Sequence, residues 1–231
     1  MIVSLHTVKK SSQGVFEKNL LRFKGEELYK HNVKVCADSD MIDEVFVLTD
    51  IDFDRDFFLD RKRRYLPLPP SRAVGNHGEA IRYGFSKICE ELEGAPEFLV
   101  IMLGNSAARQ EDVEMAIGKL KGDGDADSVC SVSRFNEHNP LRALKEQDGY
   151  LSSFFKGEEE VVSNERDALG DVYFFNGSFW IVRGSVVASQ SGFVFPWMGE
   201  KVLPYFQDVH FELDEYWHYK FMTSGINNDR E

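Results

Sequence analysis

The chain has 231 residues, of which 42% are hydrophobic and 29% charged, and it carries a formal net charge of -12. That length supports one large domain with a sizeable core. The acidic balance argues against a nonspecific binder of nucleic acid or of an anionic membrane, because polyanions are repelled over most of such a surface.

The chain opens with an apolar strand, Ile2-Val3-Ser4-Leu5, and a small, polar, cationic loop from Thr7 to Gly14. Lys18-Asn19 follow, then a helix-like run from about Gly25 to Ala37, and then a strand at Glu44–Leu48 ending on Thr49-Asp50. Strand, loop, helix and strand in this order predict a parallel βαβ unit with a right-handed crossover. The loop after its first strand falls at the carboxyl end of the sheet, where ligands of open α/β sheets bind. Small residues there let backbone N–H groups approach a phosphate, and Lys9 and Lys10 add charge. Lys18, Arg22 and Lys24 extend this local cationic cluster, whose bland alternative is a solvated face.

A basic run, Arg61-Lys62-Arg63-Arg64, precedes the proline-rich stretch Leu66–Pro70, which is expected to be extended. Helical spacing of Ile81, Phe85, Ile88 and Leu92 predicts a helix over about 78–92. Glu97–Leu103 is an unalternating apolar run that suits a sheet centre covered on both faces. A second small-residue loop, Gly104–Ala108, and Arg109 lead to a helix at about 110–121 and a strand at 127–133. The stretch 135–171 is polar and irregular, which reads as an excursion from the core, a lid, or an arm that packs on a second subunit. An aromatic strand over 172–182 is broken by Asn176-Gly177, the mark of a bulge or a close backbone approach. An aromatic loop at 192–206, a short strand near 209–211 and a helix carrying Leu213, Trp217 and Phe221 complete the reading. With no repeat or linker, residues 1–231 are expected to form a single domain of the α/β class, a mostly parallel sheet flanked by helices in three layers.

Cys36, Cys89 and Cys130 lie far apart and form no CxxC pair, which favours free thiols in a reducing compartment over a metal site. No apolar run reaches the roughly eighteen residues of a membrane span, and no signal peptide is evident, so a cytoplasmic protein is expected. Asp123, Asp125 and Asp127 are spaced like the first ligands of a calcium loop, but Ser128 and Arg134 stand where glycine and glutamate belong; a solvated turn is expected. His210 and Glu212, at alternate positions of a strand, would point together and both can ligate a divalent cation. No GxSxG, HExxH or GxxxxGK[ST] pattern is present, which points towards chemistry done by positioning and charge.

The order of these landmarks resembles the CMP-sialic acid synthetase family, cytidylyltransferases that activate acidic sugars. The resemblance rests on Lys9–Asn19, Val47-Leu48-Thr49-Asp50, Leu103–Arg109, Ala126-Asp127-Ser128-Val129-Cys130-Ser131-Val132, Tyr173–Arg183 and His210-Phe211-Glu212. Lys18, Asn19, Asp50, Ser106, Arg109, Asn176 and Gly177 are as that family has them. Its phosphate-gripping arginine is Lys9 here, its G-S-K is Ser11-Ser12-Gln13, its base-reading glutamine is Leu103, and its two metal-binding aspartates are His210 and Glu212.

What the resemblance implies is a nucleotide-diphospho-sugar transferase-like fold with an inserted dimerisation arm, and transfer of CMP from CTP to an acidic sugar. It implies nucleotide contacts at Val8, Lys9, Ser11, Ser12, Gln13, Gly14, Lys18, Asn19, Leu103 and Ser106, with Lys9 and Lys18 catalytic. It also implies Mg²⁺ at His210 and Glu212, and a homodimer. The substitutions leave two other readings open: a binding subunit that no longer turns over, and a nucleotidyltransferase for another base or acceptor.

Overall fold

The computed structural model describes residues 1–11, 14–52, 54–60, 62–73, 76–155, 165–192, 194–208, 210 and 212–224. The chain runs β1 (Ile2–Val8), β2 (Arg22–Phe23), β3 (Glu26–Glu27), α1 (Leu28–Ala37), β4 (Glu44–Thr49), β5 (Arg63–Pro67) and α2 (Pro70–Ala73). It continues through α3 (His77–Glu91), β6 (Phe98–Leu103), α4 (Gln110–Gly122), β7 (Ser128–Arg134), β8 (Leu144–Gln147) and β9 (Tyr150–Ser153). The last elements are β10 (Tyr173–Arg183), α5 (Gly184–Ser189), β11 (Val202–Gln207) and α6 (Tyr216–Thr223).

Seven strands form one sheet in the order β11-β7-β10-β6-β1-β4-β5. Every pairing is parallel except those of β10, which runs antiparallel to both β6 and β7. The central strands β1, β4 and β6 are buried nearly throughout because both faces of the sheet are covered, and β4 and β6 are correspondingly rich in apolar residues. On one face Val33 and Cys36 of α1 and Val113, Ile117 and Leu120 of α4 pack on Val45, Val47 and Val100. On the other, Ile81, Phe85 and Ile88 of α3 pack on Val3, Leu5, Phe46 and Leu99. The expected layered architecture, a largely parallel sheet between helices, is present. Among the described residues no helix is long and apolar enough to cross a membrane.

Several local readings need correcting. The first helix starts at Leu28, because Gly25, at φ +91°, turns a small β2–β3 hairpin ahead of it. The stretch 192–206, expected to be loop, contains β11, and the helix α5 was not anticipated. Pro204 hid β11: a proline inside an apolar run argues against a central strand, but β11 is the sheet edge and pairs with β7 alone. Of the strand expected at 209–211, Val209 and Phe211 lie outside the described residues and His210 is in no strand. The excursion is more ordered than its composition implied, since β8 and β9 pair as a hairpin within it. The three cysteines are free, as expected. Asp123 is used by the backbone, its carboxylate accepting from the amides of Asp125 (3.0 Å) and Ala126 (2.9 Å).

Candidate active site

The carboxyl ends of β1 and β6 and the bulge of β10 open onto one cleft of about 1360 Å³. That exceeds the roughly 300–1,000 Å³ of a typical small-molecule pocket. Lys18, Glu212 and Asp214 gather in one part of its lining and Phe175, Trp180, Phe195 and Trp197 in another, with Lys9 and Arg82 also lining it. Phe195 stacks on Trp197 at 5.5 Å between ring centroids and 7°, and Trp197 meets Trp180 edge-on at 5.6 Å.

The first loop is tied down at both ends. Asp50, at the end of β4, accepts from the Lys10 amide at 2.6 Å, and the Asn19 side chain donates to the Lys9 carbonyl at 2.7 Å. Lys9 and Ser11 line the cleft, as do Lys18, Asn19 and Leu103. Burial pushes the Lys9 ammonium down, an effect that Asp50 and Glu79 oppose. Gly14, at φ +86°, lies so close to the 212–214 segment that a Cβ would sit 2.6 Å from the Asp214 carbonyl oxygen. Lys18 Nζ reaches Asp214 Oδ1 at 2.6 Å. The loop leaving β1 and the segment leaving β11 therefore close on each other at the mouth of the cleft. Ser12 and Gln13 lie outside the described residues.

Two residues expected at the nucleotide, Val8 and Ser106, are not among those that line the cleft. Val8 is fully buried in the core beneath α1 and α4. Ser106 is also fully buried, and its hydroxyl accepts from Asn32 Nδ2 at 3.0 Å. Asn32 donates to the Leu103 carbonyl as well and accepts from the Ala108 amide, so this pair staples the loop after β6 to α1.

The acidic end of the cleft is Glu212 and Asp214 rather than His210 and Glu212. Leu213 between them is fully buried, and its amide donates to the Asn105 carbonyl at 2.8 Å, so its two neighbours both face the cleft. Burial first, then Asp214, hold the Glu212 carboxyl above its usual range, while Lys18 and a hydrogen bond from Asn105 act against them. His210 is not among the cleft's lining residues; burial lowers its pKa to about 4, and the charges it feels are those of Asp112 and Arg109. Two carboxylates fit a hard divalent cation that phosphate oxygens complete, a donor set that a buried imidazole does not improve. Among the described residues no group of three or more His, Cys, Asp or Glu side chains could hold a metal unaided.

Gly177 is where the bulge matters. The β7–β10 register shifts between Phe175 and Trp180, and Gly177, at φ +71°, gives Glu212 room. A Cβ there would fall 1.9 Å from Glu212 Cγ.

Sequence reasoning missed Asn105, Asp214, the aromatic end and His77. His77, the first residue of α3, faces Thr7 Oγ1 at 3.4 Å, and burial, helped by Lys9, lowers its pKa to about 4. For Asp214 the signal was available: Glu212-Leu213-Asp214 is acid, apolar, acid, the pattern of a segment with one buried position.

A sequence profile of the family described as cytidylyltransferase matches residues 9–74, the stretch from the first loop to α2. An N-acylneuraminate cytidylyltransferase of Streptococcus agalactiae serotype V is 22% identical over 188 residues, covering 80% of this chain and 44% of that protein. The chain thus spans less than half the length of the curated relatives it matches. Among solved structures, a CMP:2-keto-3-deoxy-manno-octonic acid synthetase complexed with CTP superposes with a TM-score of 0.68 at 13% identity, covering 99% of both chains. A 4-diphosphocytidyl-2C-methyl-D-erythritol synthase from Anaerococcus prevotii gives 0.67 at 12% identity, covering 98% of this chain and 96% of that one.

Proposed function

We propose that this chain is a divergent member of the CMP-sugar cytidylyltransferase family and that it transfers CMP from CTP to a hydroxyl of an acidic sugar, a nonulosonic or 3-deoxy sugar acid. The observation that carries the reading is the meeting of Gly14 and Lys18 with Asp214, which brings a lysine and a carboxylate pair together beside one large cleft.

In such a transfer the sugar hydroxyl gives up its proton to solvent and its oxygen forms a bond to the α-phosphorus, as the bond from that phosphorus to the bridging oxygen breaks and pyrophosphate leaves. The demands are in-line placement and neutralised phosphate charge, with little covalent help from protein. Lys9 and Lys18 supply charge, and the amides of Ser11 and Gly14 supply backbone donors. Asn19 fixes Lys9 through the Lys9 carbonyl. Glu212 and Asp214 are the residues that would hold Mg²⁺, whose chemistry when bound is to neutralise phosphate oxygens. The aromatic wall receives the C–H face of the sugar ring, which packs on aromatic rings without needing charge.

Calorimetric titration with CTP and Mg²⁺, followed by pyrophosphate release over a panel of sugar acids, tests this. Binding with no release on any acceptor would favour the binding-subunit reading. Leu103, an aliphatic side chain in the cleft, is the observation behind a second reading with another base. A thermal-shift panel of CTP, UTP, GTP and ATP separates the two, because a bound ligand raises apparent stability by mass action.

A further inference from the structure

Away from the cleft, Asp112 on α4 is only 6% exposed, yet all its capacity is used. Arg109 grips it through Nε (2.9 Å) and Nη2 (3.1 Å), Tyr205 donates its hydroxyl at 2.9 Å, and Gln207 Nε2 donates at 2.8 Å. These hydrogen bonds keep the carboxyl ionised against its burial. A buried charge pair is weak evidence for stability, since packed apolar side chains of similar volume often do as well. The direction of the network shows what else it does. Gln207 Oε1 accepts from Asn176 Nδ2 at 3.0 Å, and Asn176 also donates to Ser133 Oγ (3.0 Å) and accepts from the Ser178 amide (3.2 Å). Asn176 lies inside the gap in the β7–β10 ladder, where side-chain bonds replace missing strand bonds. The next residue is Gly177, against which Glu212 rests.

We infer that Asp112 is a positioning residue for Glu212, acting through Gln207 and the Asn176-Gly177 bulge. The inference rests on the transfer proposed above for its catalytic meaning, but its mechanical content stands apart from that reading. Severing the path at Gln207 or Asp112 loosens the bulge, and Glu212 loses the surface that fixes its carboxylate.

The test uses the whole chain and three variants. Gln207→Leu cuts the path while leaving the Arg109–Asp112 pair, Asp112→Asn keeps the size of the side chain, and Tyr205→Phe removes one bond to Asp112 without touching the path. Hydrogen–deuterium exchange without substrates is expected to quicken on the order of tenfold in Gln207→Leu and Asp112→Asn, at 175–178 and at 212–214, as befits a lost buried hydrogen bond. Exchange at 18–20 is expected to stay at the wild-type rate, and Tyr205→Phe to match wild type throughout. Wild-type protection of 212–214 in both path variants would overturn the inference, as would an equal change in Tyr205→Phe. In pyrophosphate release, the Mg²⁺ concentration for half-maximal rate should rise on the order of tenfold in the path variants, with CTP affinity in EDTA unchanged. A parallel loss of CTP affinity would also overturn it. A wild-type chain that releases no pyrophosphate would sink the transfer reading, and the exchange result would still decide the positioning.

Discussion

Lys18 Nζ and Asp214 Oδ1 lie 2.6 Å apart across 196 residues of sequence, and this contact shuts the charged end of the cleft. The Asp214 side chain is 58% exposed, so the pair adds less than about 1 kcal/mol to stability. Its value is positional. Lys18→Ala should therefore leave the unfolding midpoint almost unchanged and lower the rate of pyrophosphate release on the order of a hundredfold, the loss typical of one preorganised charge or donor. A wild-type rate in that variant would remove Lys18 from the mechanism.

Gly177→Ala should fail for two separable reasons. The left-handed backbone costs a residue with a Cβ about 1–2 kcal/mol, which urea denaturation reads directly. The new methyl would also overlap Glu212, so Glu212 must move. Loss of rate is expected to exceed what the unfolded fraction explains. If the folded variant keeps full activity, Glu212 is not needed where the structure places it.

These two positions also show how much could be read before any coordinates. The apolar strand at Phe98–Leu103 and the amphipathic α3 and α4 announced themselves, because burial on both faces or on one stripe leaves a periodic trace. That Lys9, Lys18, Asn19 and Glu212 would come together in one cleft was legible through the loop's chemistry and landmark order. Asp214 was not separated from His210, because His210-Phe211-Glu212 and Glu212-Leu213-Asp214 alternate alike. Only a tertiary bond, Leu213 N–H to Asn105 O, fixes which apolar residue faces inward. Ser106 shows a related difficulty: a small hydroxyl residue in a loop after a strand reads the same in sequence whether it faces a cleft or, as here, bonds to Asn32.

Three histidines make the fold acid-labile. Burial lowers the pKa of His6 to about 3, and of His77 and His210 to about 4. Each is neutral in the folded chain at pH 7, while the unfolded chain takes up protons near pH 6.5. The unfolded state then binds more protons, so stability is fully present above about pH 6.5 and falls progressively as pH drops towards the folded values. The urea midpoint is expected to decline steadily from pH 7 to pH 5, ahead of most carboxylate titration. His77→Gln should flatten part of that slope, and an identical slope in the variant would contradict the assignment.

The β8–β9 hairpin exposes Leu144 (59%), Tyr150 (79%) and Leu151 (71%), with Phe154 and Phe155 beside it. A two-stranded hairpin is marginal alone in water, and an exposed apolar surface of this kind is unusual for a monomer. A second copy of the chain covering the hairpin would answer both problems and would be the arm contact that the family resemblance leads one to expect at 135–171. Light scattering at micromolar concentration should then report a dimer. Leu151→Glu combined with Tyr150→Glu should yield a folded monomer, because two buried unpaired carboxylates at an interface cost more than the few kcal/mol that separate dimer from monomer. A wild-type chain that scatters as a monomer at that concentration would leave the hairpin's apolar residues without this explanation.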